Sequence, residues 1–274
     1  DCEVEIVWVG PYAYRSECVE HMRCGRVFFM GDAAKVVSPF GARGGNTGIA
    51  DADNLAWKLA AVMRERAAPS LLDSYHEERH EAATQNVLVT NRTARFLRPA
   101  PGVEKLFRDA ALSLARQHVF ARQLVNTGRM AIANPYTRSS ACHSTGGQPV
   151  QNVSFFWADG SRGVVNDLLV WADGHLLLLV FGDTSHASLE RLRALAQMAP
   201  VRCVQVLGAE GAAGAREHVR DPQGHLQGAC HVFGHAWALV RPDSYVAATG
   251  ESIDAPLVHA VGQAMGTTLQ GEDA

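Results

Sequence analysis

Apolar positions cluster along this chain in runs of two periods. The first kind is continuous: Val27, Phe28, Phe29 and Met30 stand together, and Gly31-Asp32 closes them, which predicts a short strand buried on both faces. Glu5-Ile-Val-Trp-Val reads as another strand, entering from elsewhere in a domain. The second kind is helical. Apolar residues at 52, 55, 56, 59, 62 and 63 predict a helix from about 46 to 66, capped by Asn46 or Thr47 and ending near Arg64-Glu65-Arg66 before Pro69. Ser70-Leu-Leu-Asp73 has capping-box-like form and opens a long helix through Tyr75, Ala82, Val89 and Phe96, halted by Pro99. A further helix carries Val103, Leu106, Phe107, Ala110 and Leu114 on one face.

Residues 137 to 150 are rich in Ser, Thr and Gly and read as a linker, which divides the chain into 1–136 and 151–274. Beyond it the pattern predicts a strand at Leu176 to Phe181, a helix near Ser188 to Met198 and a strand at Val201 to Leu207. Strands at Trp237 to Val240 and Tyr245 to Ala248 and a helix from about Asp254 complete it. The order β-α-β, then β-β-α, is that of a thioredoxin-like sandwich, so the fold class is α/β. A working thiol oxidoreductase needs C-x-x-C after the first core strand, where a helix N-terminus lowers a thiol pKa; this chain has Gly182-Asp-Thr-Ser-His186 there. Scaffolding and a contribution to a homodimer interface are what remain for that half.

Composition narrows the function classes. At 274 residues with 47% hydrophobic content the chain can bury a sizeable core. A net charge of −3, with Arg and Lys read as scattered, gives no electrostatic reason to expect nucleic acid or an anionic membrane as partner. No run of about 18 apolar residues suggests a membrane span. Six cysteines without C-x-x-C or zinc-ribbon spacing suit free thiols in a cytoplasmic protein. His76 and His80 share a helical face but lack a third ligand, and Cys230, His231 and His235 lack a fourth, so no metal site is expected. No Gly-x-Ser-x-Gly elbow supports a hydrolase.

The chemistry concentrates between residues 31 and 54. A carboxylate at a strand end, Asp32, can accept ligand hydroxyls, and the glycines at 41, 44, 45 and 48 let backbone approach a ligand closely. The loop empties into a helix start, whose unpaired N–H groups and partial positive charge favour an anion or an electron-rich carbonyl. On its own such a loop also reads as a glycine-rich surface turn.

Over these residues the sequence resembles the single-component FAD-dependent aromatic hydroxylases, which include phenol, hydroxybenzoate and 3-(3-hydroxyphenyl)propionate hydroxylases. The resemblance implies that Asp32 holds the FAD ribose, that Pro39, Gly41, Gly44, Gly45 and Asn46 pass the flavin ring, and that the helix beginning at Thr47 and Gly48 faces the ring edge where reduction places negative charge. It also implies reduction of FAD by NAD(P)H and hydroxylation of a phenolic small molecule with O2. No side chain here is an obvious general base, and no catalytic residue is assigned. The family usually reads Gly-Asp-Ala-Ala-His where this chain has Lys35, which is either a solvated surface lysine or a cationic partner for the FAD phosphates or ribose. Tyr75-His-Glu-Glu78-Arg79 is similar to a structural brace of the family, and Arg241-Pro-Asp-Ser-Tyr245-Val to a hairpin in its thioredoxin-like C-terminal domain. The family's opening βαβ unit with Gly-x-Gly-x-x-Gly has no counterpart before residue 26, so the resemblance implies a C-terminal portion that binds FAD weakly at best and is inactive alone. The rival expectation is a non-catalytic truncated scaffold or dimerisation module.

Overall fold

The computed structural model describes residues 3–11, 13–125, 132–208, 217–232 and 234–269. Cys2 lies outside them. Contacts divide the chain into two compact units, Asp1–Glu20 with Phe29–Ile49 and Ala83–Ile132, and His21–Phe28 with Ala50–Ala82 and Ala133–Ala274. These units cross the expected division at 137–150.

In the first unit, β1 (Glu17–Cys18) pairs antiparallel with β4 (Lys35–Val36). Residues 5–9, expected as a strand, have no regular structure, and Ile6, Val7 and Trp8 are exposed. No described strand pairs with them, so their apolar side chains have no sheet to pack on. The helix α1 (Arg43–Met63) begins in this unit, as α2 (Asp73–Leu97) ends in it. Two further helices, α3 (Val103–Gln117) and α4 (Val119–Val125), pack on each other. The apolar stripe expected on α3 exists but faces outward, with Val103 84% and Leu106 73% exposed; Ala111 is the side chain it buries. The tail of α2 and these two helices are also basic, carrying Arg92, Arg95, Arg98, Lys105, Arg108, Arg116 and Arg122 against Glu104 and Asp109, so the basic residues are not scattered after all. No helix among the described residues is long and apolar enough to cross a membrane.

The second unit is built on a mixed sheet. Its strands are β5 (Ser154–Trp157), β6 (Arg162–Val164), β7 (Leu176–Phe181), β8 (Val201–Leu207), β9 (His218–Arg220), β10 (Trp237–Val240) and β11 (Val246–Gly250), in the order β11-β10-β7-β8-β9-β5-β6. β8 runs parallel to β7 and β9, whereas β10 is antiparallel to β7 and β11. β7 reads Leu-Leu-Leu-Leu-Val-Phe because both its faces are covered. Leu176, Leu178 and Val180 enter one core with Trp57 and Ala61 of α1, Leu192 of α6 (His186–Met198) and Leu257 of α8 (Ala255–Ala264). Leu177 and Leu179 enter the other, with Leu168 of α5 (Val165–Ala172) and Leu226 of α7 (His225–Ala229). The strands and helices expected after residue 176 all form within two residues of their expected limits, while β5, β6, α5, β9 and α7 were not anticipated.

Three local expectations are corrected in this unit. The Val27–Met30 run yields only β3 (Val27–Phe28), paired with β2 (Arg23–Cys24), and Val27 is 56% exposed because a two-stranded hairpin covers at most one face. Ser70 is no N-cap: Pro69–Leu72 is a 3₁₀ turn, and the Ser70 hydroxyl donates to the Gly266 carbonyl. The stretch 137–150 is irregular but packed. Tyr136 and Gly147 exchange a hydrogen bond from Tyr136 N–H to the Gly147 carbonyl, and the N–H groups of His143 and Gly147 donate to β11 residues Ala247 and Val246. Gly147 has φ +85°, and a Cβ there would lie 2.0 Å from the Tyr136 oxygen.

Candidate functional site

The residues singled out between 31 and 47 come together in the first unit. Gly31-Asp32-Ala33 form a 3₁₀ turn, and Asp32 is exposed. Pro39 and Gly41 follow in a turn closed by the Ala42 N–H on the Pro39 carbonyl, and Gly41 (φ +108°) and Ala42 (φ +53°) redirect the chain into α1. The helix therefore starts at Arg43, three residues before the expected start. Asn46 and Thr47 are consequently not caps. They sit inside the first turn, where the Asn46 amide donates to the Ala42 carbonyl at 2.8 Å and the Thr47 hydroxyl to that of Arg43 at 2.8 Å.

This start carries a run of small residues beside open space. A Cβ placed on Gly31 or Gly45 would meet no protein atom within 4 Å, and one on Gly48 would approach the Gly31 Cα at 3.5 Å. The turn bearing Asp32 thus lies directly against the first turns of α1, and the α1 N-terminus presents N–H groups that have no helical acceptor. An exposed carboxylate, an open glycine flank and a helix start are the features a ribose hydroxyl and a flavin ring require, so these residues fit FAD. Lys35, by contrast, is 4% exposed in β4, which removes the solvated-surface reading of it.

A second polar constellation lies in the other unit, and sequence reasoning saw its members without joining them. The Glu78 carboxylate accepts from Lys58 Nζ at 2.7 Å, from both Arg241 Nη atoms at 2.5 and 2.8 Å, and from Asn54 Nδ2 at 2.6 Å. Arg241 also donates to Asp243 at 2.6 and 3.0 Å, and Asn54 reaches the same carboxylate at 2.9 Å. Arg79 Nε donates to Asp51 at 2.8 Å, and Arg79 Nη1 to the Tyr136 hydroxyl. Lys58, Glu78, Arg241 and Asp51 are wholly buried. Burial alone would raise the Glu78 carboxyl, but Arg241 and Lys58 outweigh it and hold it well below the usual range. Burial pushes the Lys58 amine down to about 8 despite its partner Glu78. Three cations and three anions balance, and each has an oppositely charged hydrogen-bond partner, as a brace requires. Among the described residues no group of His, Cys, Asp and Glu has the arrangement of a metal site. The thiols of half-buried Cys203 and buried Cys230 are pushed up by desolvation to about 12, far from a reactive thiolate.

Residues 1–90 match the FAD binding domain family, and FAD is the cofactor this match assigns. Among curated relatives, the 6-methylpretetramide 4-monooxygenase of Streptomyces rimosus is 33% identical over 264 residues, covering 90% of this chain and 45% of the relative. The tetracenomycin A2 monooxygenase-dioxygenase of Streptomyces glaucescens is 30% identical over 283 residues, covering 98% of this chain and 48% of the relative. Of the solved structures, CabE, an aromatic hydroxylase from angucycline biosynthesis, matches with a TM-score of 0.69 and 27% identity, over 96% of this chain and 49% of that one. OxyS, the anhydrotetracycline hydroxylase of Streptomyces rimosus, gives 0.67 and 28%, over 93% and 47%. The chain spans less than half of the length of the curated relatives it matches.

Proposed function

We propose that this chain is the C-terminal portion of an FAD-dependent aromatic monooxygenase that uses NAD(P)H and O2 to hydroxylate a phenolic substrate. The observation that carries it is the open, glycine-lined start of α1 with Asp32 set against its flank, in a segment matching an FAD binding domain. When bound, FAD supplies the electron transfer from NAD(P)H to O2 that makes one oxygen atom available to the ring. The chain's own residues do the rest. Asp32 accepts ribose hydroxyls, Pro39, Gly41, Gly44 and Gly45 give the ring a flat, side-chain-free wall, and the N–H groups at the start of α1 that precede its first helical hydrogen bonds oppose negative charge on its edge. The relatives named above are a 6-methylpretetramide monooxygenase, a tetracenomycin A2 monooxygenase-dioxygenase and an anhydrotetracycline hydroxylase, which favours an aromatic polyketide over phenol or hydroxybenzoate as the substrate.

The strand order β8-β7-β10-β11, parallel and then antiparallel, supports the thioredoxin-like reading of residues 151–274, with α6 beginning at His186 after a Ser185 cap where a redox protein would carry its thiols. A scaffold of that kind suits a homodimer. The test uses the complete polypeptide that carries these residues, supplied with FAD, NADH or NADPH and a polycyclic phenol under ¹⁸O₂. We expect substrate-stimulated NAD(P)H oxidation and one ¹⁸O atom in the product. Oxygen drawn from water, or no flavin-dependent oxidation with any phenol, overturns the reading.

A further inference from the structure

A two-stranded hairpin buries too little apolar surface to hold itself together in water, so β2 and β3 depend on what they dock against. Within the second unit that is the start of α2. The Phe28 ring stands edge-on to Tyr75, with 6.0 Å between centroids. Arg23 Nη1 donates to Asp73 at 2.6 Å, but the Asp73 side chain is 65% exposed, and an ion pair open to water contributes about 0–1 kcal/mol. At the foot of the hairpin Met22 is wholly buried, and its backbone N–H donates to Nδ1 of His76 at 3.3 Å.

That last bond fixes a protonation state. An amide N–H only donates, so Nδ1 is the unprotonated nitrogen of a neutral imidazole. A proton added there would set donor against donor and leave the N–H of a buried residue without its acceptor. His76 also stands among other imidazoles. Its ring centroid lies 5.5 Å from that of His21, which precedes the hairpin strands, and 5.1 Å from that of His80, one turn further along α2. Burial disfavours the His76 imidazolium most, His80 and then His21 add to this, and Glu77 opposes them, so His76 is held below its ordinary value of 6.5. The Glu77 carboxylate is itself engaged by the Ser140 N–H at 2.7 Å, as Asp73 is by Arg23.

We infer that the His21–Phe28 hairpin is held on α2 by a proton-sensitive latch: neutral His76 receives the Met22 N–H and closes it, and protonated His76 opens it. The Arg23–Asp73 pair is too exposed to replace the lost bond. A base whose folded-state value lies below its ordinary one contributes stability that is complete above 6.5 and is lost as pH falls below it. The Glu78 carboxyl, held below its ordinary 4.5, gives up its contribution only at lower pH, so the two effects are separable. The latch lies wholly within the second unit and does not rest on the flavin reading.

Hydrogen exchange on the 274-residue chain, compared at about pH 7.5 and about pH 5.5 after correction for intrinsic rates, tests the latch. We expect the Met22 and hairpin amides to lose protection by about fivefold at the lower pH, the factor that one intramolecular hydrogen bond supplies, while β7 and β8 keep theirs. His76→Asn sets an amide oxygen near the place of Nδ1 and has no proton to gain, so its hairpin protection is expected to be the same at both pH values. Should His76→Asn fail to fold, His80→Gln is measured in its place. It removes one of the cations that oppose charging of His76, and the loss of protection is expected to begin at a higher pH. Hairpin protection that ignores pH, a pH response that persists in His76→Asn, an unmoved onset in His80→Gln, or an equal loss in β7 and β8 overturns the inference.

Discussion

Glu78 is the residue on which most of the buried charge converges, and its neighbours make it unequal to Lys58. Removing the Glu78 charge leaves Lys58 without its carboxylate and Arg241 with Asp243 alone in a site closed to water, so Glu78→Gln is expected to cost about 3–5 kcal/mol in denaturant or thermal unfolding. Lys58→Met is expected to cost about 1 kcal/mol or less, because burial already disfavours that ammonium and Glu78 keeps Arg241. The acid side follows from the same geometry. A carboxyl held below its ordinary value of 4.5 contributes stability that is full above that value and is lost as pH falls below it. The wild-type melting temperature should therefore fall between about pH 5 and pH 3 more steeply than that of Glu78→Gln. Both ends of the cluster were visible in the sequence, as Tyr75-His-Glu-Glu78-Arg79 and as Arg241-Pro-Asp243. Their union was not, because 163 residues separate Glu78 from Arg241 and nothing local in either motif specifies the other. Lys35 was ambiguous for the opposite reason: a lysine between apolar neighbours carries no sign of whether a strand partner will bury it.

Elements were legible where their surroundings are complete on every side. The Leu176–Phe181 strand reads as a continuous apolar run because cores lie on both faces, and the helix and strands that follow it show their own periods just as clearly. The Val27–Met30 run carries the same signature and becomes a short exposed hairpin strand, since a run of apolar residues states only that burial is available, not that a layer arrives to provide it. Asn46 and Thr47 were good cap candidates by type, but Ala42 in the left-handed region starts the helix earlier, and an alanine there is a poor advertisement of φ +53°. The Ser, Thr and Gly content of 137–150 resembles a tether, and its hydrogen bonds to β11 make it part of the packed unit instead. Gly147→Ala separates the two views. A tether would tolerate it, whereas the positive φ and the close Tyr136 oxygen lead us to expect a loss of more than about 2 kcal/mol, read from the unfolding midpoint.

At the scale of the whole molecule, two statements meet: residues 1–90 match an FAD binding domain, and the helix that begins in that segment is pinned by charges delivered from a C-terminal sheet. The glycine-lined start of α1 was legible because it depends on small residues in short sequence, which leave a local mark; the charged cluster of the second unit depends on distant residues, which do not. The central claim is that the space along Gly45 is kept open for a flavin. Gly45 has an ordinary backbone conformation, and a Cβ there touches nothing in the protein, so Gly45→Val should fold and melt as the wild type does. The direct measurement is an FAD titration of the 274-residue chain and this variant, followed by flavin fluorescence. The account expects weak but saturable binding by the wild type and a loss of at least about tenfold, ~1.4 kcal/mol, in a Gly45→Val protein of unchanged melting temperature. Equal binding by the two proteins would contradict it.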